Sequence, residues 1–439
     1  MPLIALLACF ASGLDPLSAA PQEEGVFGPD ERLLAVYFFS RGPWDDVAVT
    51  SGGELGMSGT WKATYPPRDD PRASIFGLDS PTKWPGDALP DTTEWPATYK
   101  DGAQFLPWLM AEWRAMQWSG FDFVFVDDWH SLNFTPDLAP APCFEAFMGA
   151  WAELDRRGEK PLPMAMFLET PFAWHDLDKK DRDATEASAD GICELWEPTR
   201  AFLRQFYGEP GYEPRLPLRA LARVEVNGEA RPIVQFWFPT WVDAGLRKWD
   251  AWTFTELRRL CRETFGVEPF IGVSQHVHGP DFVGGWSSEQ PGGGRVDISS
   301  KAGVVDYDVA WWGGMAGPQV YPNAIAIGPG HWCPRQTGDK PVTLHYSSEY
   351  GEDEYRYVQC WRKVLTDPES FRRRILIVES WNNNDEGCAI LYSEPKDFRT
   401  EAGDLIDRWG PTPEFYMALT RELAPYWKAG RCPKRFGGE

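Results

Sequence analysis

Residues 121–129, FDFVFVDDW, carry the pattern that decides the fold. An apolar run long enough for one buried strand ends in two acidic residues and a tryptophan. A strand that is apolar on both faces is typical of a parallel sheet covered by helices. Polar residues directly after such a strand lie at its carboxyl end, where barrels of this kind hold their active sites.

Seven further apolar runs repeat this pattern, and most are followed by a segment with helical spacing. The eight runs are 33–39, 121–126, 162–168, 232–238, 269–274, 304–312, 323–327 and 374–379. The helical segments are 101–118, 143–157, 199–207, 253–265, 353–365 and 412–430. Alternating strands and helices predict an α/β fold. Eight strands predict a (β/α)₈ TIM barrel with long loops, built on a parallel eight-stranded barrel.

Two local signals refine this prediction. The dipeptide Asn227-Gly228 predicts a tight hairpin turn that leads into the fourth run. Thr412 followed by Pro413 predicts the start of the last helix. By contrast, the Gly-rich residues 279–303 show no helical spacing where a barrel needs a helix.

The amino terminus predicts export of the protein. Residues 3–14 are apolar but too short to span a bilayer, and Ser18-Ala19-Ala20 offers the small residues of a cleavage site. We therefore expect a signal peptide over 1–20 and one domain over 21–439, secreted or periplasmic. No other segment is apolar enough for membrane insertion.

Composition narrows the class of partner. The formal net charge of −22 argues against nucleic acid, which clustered Lys and Arg bind. The 23 tryptophans are a high number, and flat indole faces suit the apolar faces of pyranose rings. These observations favour a carbohydrate partner and no cofactor.

Acidic, amide, histidine and tryptophan side chains follow the predicted strands. Glycosidases need one carboxylic acid and a second carboxylate as base or nucleophile. The candidate site residues are Asp127, Asp128, Trp129, Glu169, Trp237, His276, His278, His331, Trp332, Glu379, Trp381, Asn382, Asn383, Asp385 and Glu386.

The richest segment, ILIVESWNNNDEGCAI at 375–390, resembles the strand-eight motif of glycoside hydrolase family 99 and the WbsX-like group. The matching positions are Ser380, Trp381, Asn382, Glu386 and Gly387. The resemblance implies a glycoside hydrolase-like barrel that handles α-mannose-containing glycans by a retaining mechanism. It also implies that Glu386 is the general acid/base.

This chain departs from the motif at one position. The family's earlier glutamate corresponds to Asn383, which forms hydrogen bonds but takes no proton at neutral pH. Either another carboxylate compensates, or the protein binds glycans without cutting them. The candidates are Glu379, Asp385 and Asp128, with Glu169 as a substitute.

Glu379 and the Asp127-Asp128 pair are the stronger of these candidates. Glu379 follows an apolar run, so a partly desolvated carboxyl there suits an acid, although an ion pair with Arg373 or Arg356 is the alternative. Because neighbours in a strand point to opposite faces, only one of Asp127 and Asp128 faces the cleft. We prefer Asp128.

A metal-dependent hydrolase is the third hypothesis. His276 and His278 have the spacing of one strand face, and Asp308 follows in the next strand. Such a set could hold a metal ion. We rank this hypothesis below both carbohydrate readings, and expect the histidines to contact sugar hydroxyls.

Overall fold

The computed structural model describes fifteen segments of the chain. They are residues 24–39, 106–127, 142–169, 192–238, 251–276, 305–311, 319–321, 324–330, 344–347, 355–382, 388–391, 396–399, 402–403, 405–412 and 414–438. The predicted signal peptide and the Gly-rich residues 279–303 lie outside these segments.

Thirteen strands are present in the described segments, and they include all eight predicted runs. They are β1 (Val26–Phe27), β2 (Leu33–Phe39), β3 (Phe123–Asp127), β4 (Met164–Glu169), β5 (Arg223–Val226), β6 (Glu229–Phe238), β7 (Phe270–His276), β8 (Tyr307–Trp311), β9 (Gln319–Tyr321), β10 (Ala324–Ile327), β11 (Ile375–Val378), β12 (Lys396–Arg399) and β13 (Leu405–Trp409). The strand prediction succeeded because most of these runs are buried on both faces, as far as the structure describes their side chains.

Six α-helices occur in the same segments, close to the predicted positions. They are α1 (Leu106–Trp118), α2 (Pro142–Arg156), α3 (Ile192–Tyr207), α4 (Ala251–Phe265), α5 (Arg356–Thr366) and α6 (Phe415–Ala429). Helix α3 begins at Ile192 rather than near Thr199. Helix α6 begins later than the predicted Thr412, because the Phe415 N–H first closes a turn on the Thr412 carbonyl at 3.1 Å. No described helix has both the length and the apolar character needed to cross a membrane.

The eight predicted strands form one series of parallel ladders. Their order is β8-β7-β6-β4-β3-β2-β11-β10. The two end strands, β8 and β10, also approach each other, with pairs of Cα atoms within 8 Å. This arrangement is consistent with the predicted barrel.

The sheet as a whole is nevertheless mixed, because antiparallel strands are added to the predicted parallel series. Strands β5 and β6 form an antiparallel hairpin, and its turn residues Asn227 and Gly228 have φ of 54° and 81°, as the tight-turn prediction requires. Strand β9 adds an antiparallel edge to β10. The short strands β1 and β9 were not predicted because two or three residues carry no period.

The two faces of the sheet pack differently. On the outer face, strand residues pack with helix residues such as Trp113, Trp151 and Trp361. On the inner face, alternate strand residues pack against each other and against no described helix. We call this group the inner cluster: Leu33, Ala35, Tyr37, Phe123, Phe125, Ala165, Phe167, Ala222, Val224, Ile233, Phe270, Tyr307, Val309, Ala324, Ala326, Ile375 and Ile377. A face that packs only against itself indicates a strongly curved sheet.

Three polar side chains tie the inner face together. The Gln235 amide donates a hydrogen bond to the Tyr37 hydroxyl, and the Tyr307 hydroxyl donates one to Gln235 Oε1 at 2.8 Å. All three residues are buried. Tyr37 also contacts Phe125 and Phe167, with ring centroids 5.4 and 4.6 Å away. We call Tyr37, Gln235 and Tyr307 the floor triad.

Gly272 makes room for this triad. A Cβ atom at Gly272 would overlap the ring and the hydroxyl of Tyr307. We therefore expect Gly272→Ala to lower the free energy of unfolding by about 1–3 kcal/mol through overpacking. Gly149→Ala is the matched control, because nothing lies within 4 Å of a Cβ there and alanine favours the helix by about 0.5–1 kcal/mol. Urea unfolding measures the unfolding free energy of both variants. A Gly272→Ala variant as stable as wild type would contradict the close packing of Gly272 against Tyr307.

Tyr307 offers a test that depends on pH. Burial, with smaller contributions from Tyr37 and Asp306, raises the pKa of Tyr307 well above its ordinary value. We expect Tyr307→Phe to lower the unfolding free energy at pH 7 by about 1–3 kcal/mol, because a buried hydrogen bond is lost. A raised folded-state pKa gives stability that is present below pH 10 and lost as pH rises. The difference between wild type and variant should therefore shrink above about pH 10, by roughly 1.4 kcal/mol per pH unit.

Tyr212→Phe is the matched control for this measurement. The Tyr212 hydroxyl also donates to a glutamine oxygen, Gln205 Oε1, at 2.8 Å, but Tyr212 is only partly buried. Urea unfolding at pH 7 and pH 11 should show a smaller loss of unfolding free energy for Tyr212→Phe than for Tyr307→Phe. Equal losses at Tyr212 and Tyr307, with no change between the two pH values, would contradict a buried triad.

Candidate functional site

The carboxyl ends of the parallel strands meet at one edge of the sheet. Asp127 ends β3, Glu169 ends β4, Trp237 is the next-to-last residue of β6 and His276 ends β7. Glu379 directly follows β11. Because these strands are parallel, five predicted site residues have backbone positions along the same edge.

Of the predicted catalytic residues Glu379, Asp128 and Glu386, only Glu379 lies in the described segments. It is 4% exposed, and its backbone N–H donates to the Ile327 carbonyl of β10 at 2.8 Å. The peptide bond between Glu379 and Ser380 is cis. In β11, Ile375 and Ile377 belong to the inner cluster, so the alternation assigns Glu379 to the inner face. An acidic residue is therefore buried at the candidate edge of the sheet.

The same alternation separates the two neighbouring aspartates. Phe123 and Phe125 belong to the inner cluster, and Asp127 follows them with the same period of two. Asp127 therefore has an inner-face position in β3. This favours Asp127 over Asp128, contrary to our sequence-based preference. The sequence alone does not show which of two adjacent strand residues has the inner-face position. That assignment needs the packing of the strand.

Two other predicted residues have inner-face positions as well. Glu169 continues the series of Ala165 and Phe167 in β4, and Trp237 continues that of Ile233 in β6. Glu169 and Trp237 are also direct partners in the β4–β6 ladder. The candidate edge therefore combines acidic and aromatic residues on the inner face.

Two of the residues proposed for a metal site, His276 and Asp308, have strand positions of opposite parity. His276 has the parity of Phe270, which is an inner-cluster residue. Asp308 lies between Tyr307 and Val309, both in the inner cluster, and so falls at an outer-face position. Within the described segments, no group of three or more His, Cys, Asp or Glu side chains could hold a metal ion. His278 lies outside those segments.

Trp381, which the sequence analysis predicted as a sugar contact, is buried in the structure. It has no exposed surface, and its indole N–H donates a hydrogen bond to the buried carboxylate of Glu112 on α1. Phe121 lies edge-on to the Trp381 ring, with centroids 6.3 Å apart. The indole therefore joins the last strand to the outer helices. The neighbouring Asn382 is partly buried.

The remaining predicted site residues fall outside the described segments. They are Asp128, Trp129, His278, His331, Trp332, Asn383, Asp385 and Glu386. Their proposed roles stay predictions.

The sequence analysis missed a buried histidine–aspartate pair. His345 Nδ1 lies 2.8 Å from Asp407 Oδ2, and both residues are buried. Asp407 also accepts backbone N–H groups from His345, Tyr346 and Arg408, at 3.0, 3.1 and 2.8 Å respectively. A gap of 62 residues along the chain left no sequence signal for the pair.

The His345 ring lies close to the candidate edge of the sheet. It stacks on Trp409, with centroids 5.1 Å apart, and a Cβ atom at Gly330 would come within 2.9 Å of it. Gly330 follows β10 by three residues. The pair therefore anchors β13 against the segment that leaves β10.

Comparison with known proteins gives structural likeness without sequence likeness. No protein-family profile matches the chain, and no curated protein matches it in sequence. Among solved structures, it is similar to a GH99 endo-α-mannosidase from Bacteroides thetaiotaomicron, with a TM-score of 0.44, 10% identity and coverage of 90% of this chain and 98% of that one. It is also similar to a glycoside hydrolase-like protein, with a TM-score of 0.42, 12% identity and coverage of 94% and 97%.

Proposed function

We propose that the chain is a glycoside hydrolase whose sheet closes into a (β/α)₈ barrel and whose site lies at the carboxyl ends of the strands. The observation that carries the proposal is Glu379. A carboxyl residue that is 4% exposed, on the inner face directly after the last parallel strand, has the position of a barrel enzyme's catalytic group.

Closure of the barrel is supported by the packing of the inner face. Each of the eight parallel strands contributes to the inner cluster, in which no described helix takes part. The end strands β8 and β10 approach each other. A sheet that covers its inner face with its own side chains, and its outer face with helices, is the arrangement of a (β/α)₈ barrel.

Glu386 supplies the general acid/base in this proposal, and an α-mannose-containing glycan is the substrate. Both assignments rest on the resemblance of Ser380–Gly387 to the strand-eight motif, where Glu386 holds the acid/base position. Glu379 is the nearest described carboxylate in sequence to this position. It would act with Glu386 as one of the two carboxylates that glycoside hydrolysis requires.

A carbohydrate-binding barrel without activity is the second candidate. Asn383 stands where the motif has a glutamate, and an amide binds hydroxyl groups but transfers no proton. This candidate predicts glycan binding with no release of sugar. In this second candidate, the same site binds the glycan but does not hydrolyse it.

A glycan-library screen for released reducing ends tests the enzymatic proposal. We expect wild type to release sugar from α-mannose-containing glycans. Glu386→Gln and Glu379→Gln should each lower the rate by roughly 10²–10⁴-fold, since a group that transfers protons in the transition state is lost. A chelator should leave the wild-type rate unchanged.

Glu422→Gln is the matched control, because Glu422 is only partly buried on α6 and pairs with Arg435 at 3.1 Å. Its rate should equal that of wild type. Wild-type release that is unaffected by both Glu386→Gln and Glu379→Gln would refute the site. Binding of glycans without any release would favour the second candidate.

A further inference from the structure

We propose that Glu379, Asp127, Trp237 and Trp311 form one layer of the barrel, and that this layer binds a single pyranose ring between two carboxylates and two indoles. The inference deepens the proposed function and rests on its site. It assigns the second carboxylate to Asp127 and adds Trp311 to the site.

The paired residues of neighbouring strands relate each of these four positions to the next by one constant shift along the sheet. The β11–β2 register, carried one residue past Val378, sets Glu379 level with Tyr37, which pairs with Phe125. Asp127 lies two residues beyond Phe125. Each step therefore moves two strands around the sheet and two residues towards the carboxyl ends.

The next two steps rest on pairs that the ladders contain directly. Asp127 pairs with Phe167, which pairs with Gln235, and Trp237 lies two residues further. Trp237 in turn pairs with Ser274, and Ser274 pairs with Val309. Trp311 lies two residues beyond Val309, as the repeated step requires.

This step is the one that a (β/α)₈ barrel needs for residues at equal height. Eight strands with a shear of about 8 shift by roughly one residue per strand, and each layer draws its side chains from alternate strands. The four residues come from β11, β3, β6 and β8, which are alternate members of the parallel series. They therefore have the positions of a single layer.

The layer immediately below is fully described and supports this reading. Moving two residues back from each position gives Ile377, Phe125, Gln235 and Val309. All four are buried; three belong to the inner cluster, and Gln235 belongs to the floor triad. A ring bound in the layer above would rest on a dry, hydrogen-bonded floor.

Asp127 is the inner-face acid whose ladder position lies nearest to Glu379. On a flat sheet, two strand spacings and two residues separate their Cα atoms by about 12 Å, whereas Glu169 would be about 19 Å from Glu379. Inward curvature brings the ends of inner-face side chains closer than their Cα atoms. The inference therefore expects the two carboxyl groups to be about 5–10 Å apart, as is typical of glycosidase pairs.

The chemistry of the layer defines its ligand. Indoles offer apolar faces for a sugar ring, and two carboxylates accept hydroxyl groups. Two acidic groups also attract a cation in a partly dry site. The layer should therefore bind a cationic iminosugar more tightly than the neutral sugar of the same configuration.

Calorimetric titration with 1-deoxymannojirimycin and with mannose tests the layer, and it does not depend on turnover. We expect Asp127→Asn and Glu379→Gln to weaken iminosugar binding roughly 10- to 100-fold, as the loss of a charge-assisted hydrogen bond does. Asp128→Asn, which removes the same charge one residue away, decides between the two aspartates, and this inference expects it to leave binding unchanged. Glu422→Gln, on helix α6, is the matched control. Trp311→Ala should weaken binding, whereas Trp312→Ala should not. Thermal unfolding checks that each variant is folded.

The outcomes separate this inference from the proposed function. Binding that depends on Asp127 but not on Asp128, without hydrolysis of any glycan, supports the layer and refutes the enzyme. Hydrolysis together with iminosugar binding that depends on Asp128, or is indifferent to Asp127, overturns the layer and leaves the enzyme. Failure of wild type to bind the iminosugar also overturns the layer.

Discussion

The hydrogen bonds from Gln235 to Tyr37 and from Tyr307 to Gln235 are the constraint on which the rest of the structure depends. They cross the inner face between β2, β6 and β8, which are distant along the chain and separated in the sheet. Polar groups buried in an apolar cluster must satisfy each other, so they fix the relative positions of these strands. In the layer that we propose, the buried residue Glu379 lies above this floor.

Much of the fold could be predicted from sequence because of one property. Strands that are buried on both faces read as uninterrupted apolar runs, so each of the eight was recognisable without knowing its neighbours. Elements that depend on tertiary contacts were less visible. The hairpin of β12 and β13 has exposed, charged residues such as Arg399, and its Asp407 is explained only by His345, far away in the chain.

The candidate site was predicted as a set of residues rather than as an arrangement. Residue types after each strand selected Glu379, Asp127 and Trp237 as candidates, because the carboxyl ends of parallel strands share an edge. The face of the sheet to which a residue belongs was not predictable where it depends on packing. Trp381 looked like a sugar platform but lies on the outer face against Glu112, and Asp127 rather than Asp128 continues the inner series. A shift of one residue moves a side chain to the other face, so composition alone could not decide.

The most direct measurement is the crystal structure of the Glu379→Gln variant soaked with an α-mannose-containing oligosaccharide. A pyranose ring should lie above the floor triad, between the carboxyl ends of β3 and β11, with Asp127 on one side and residue 379 on the other. A ring bound away from this edge, or an Asp127 side chain directed towards the outer helices, would contradict a catalytic layer above Tyr37, Gln235 and Tyr307.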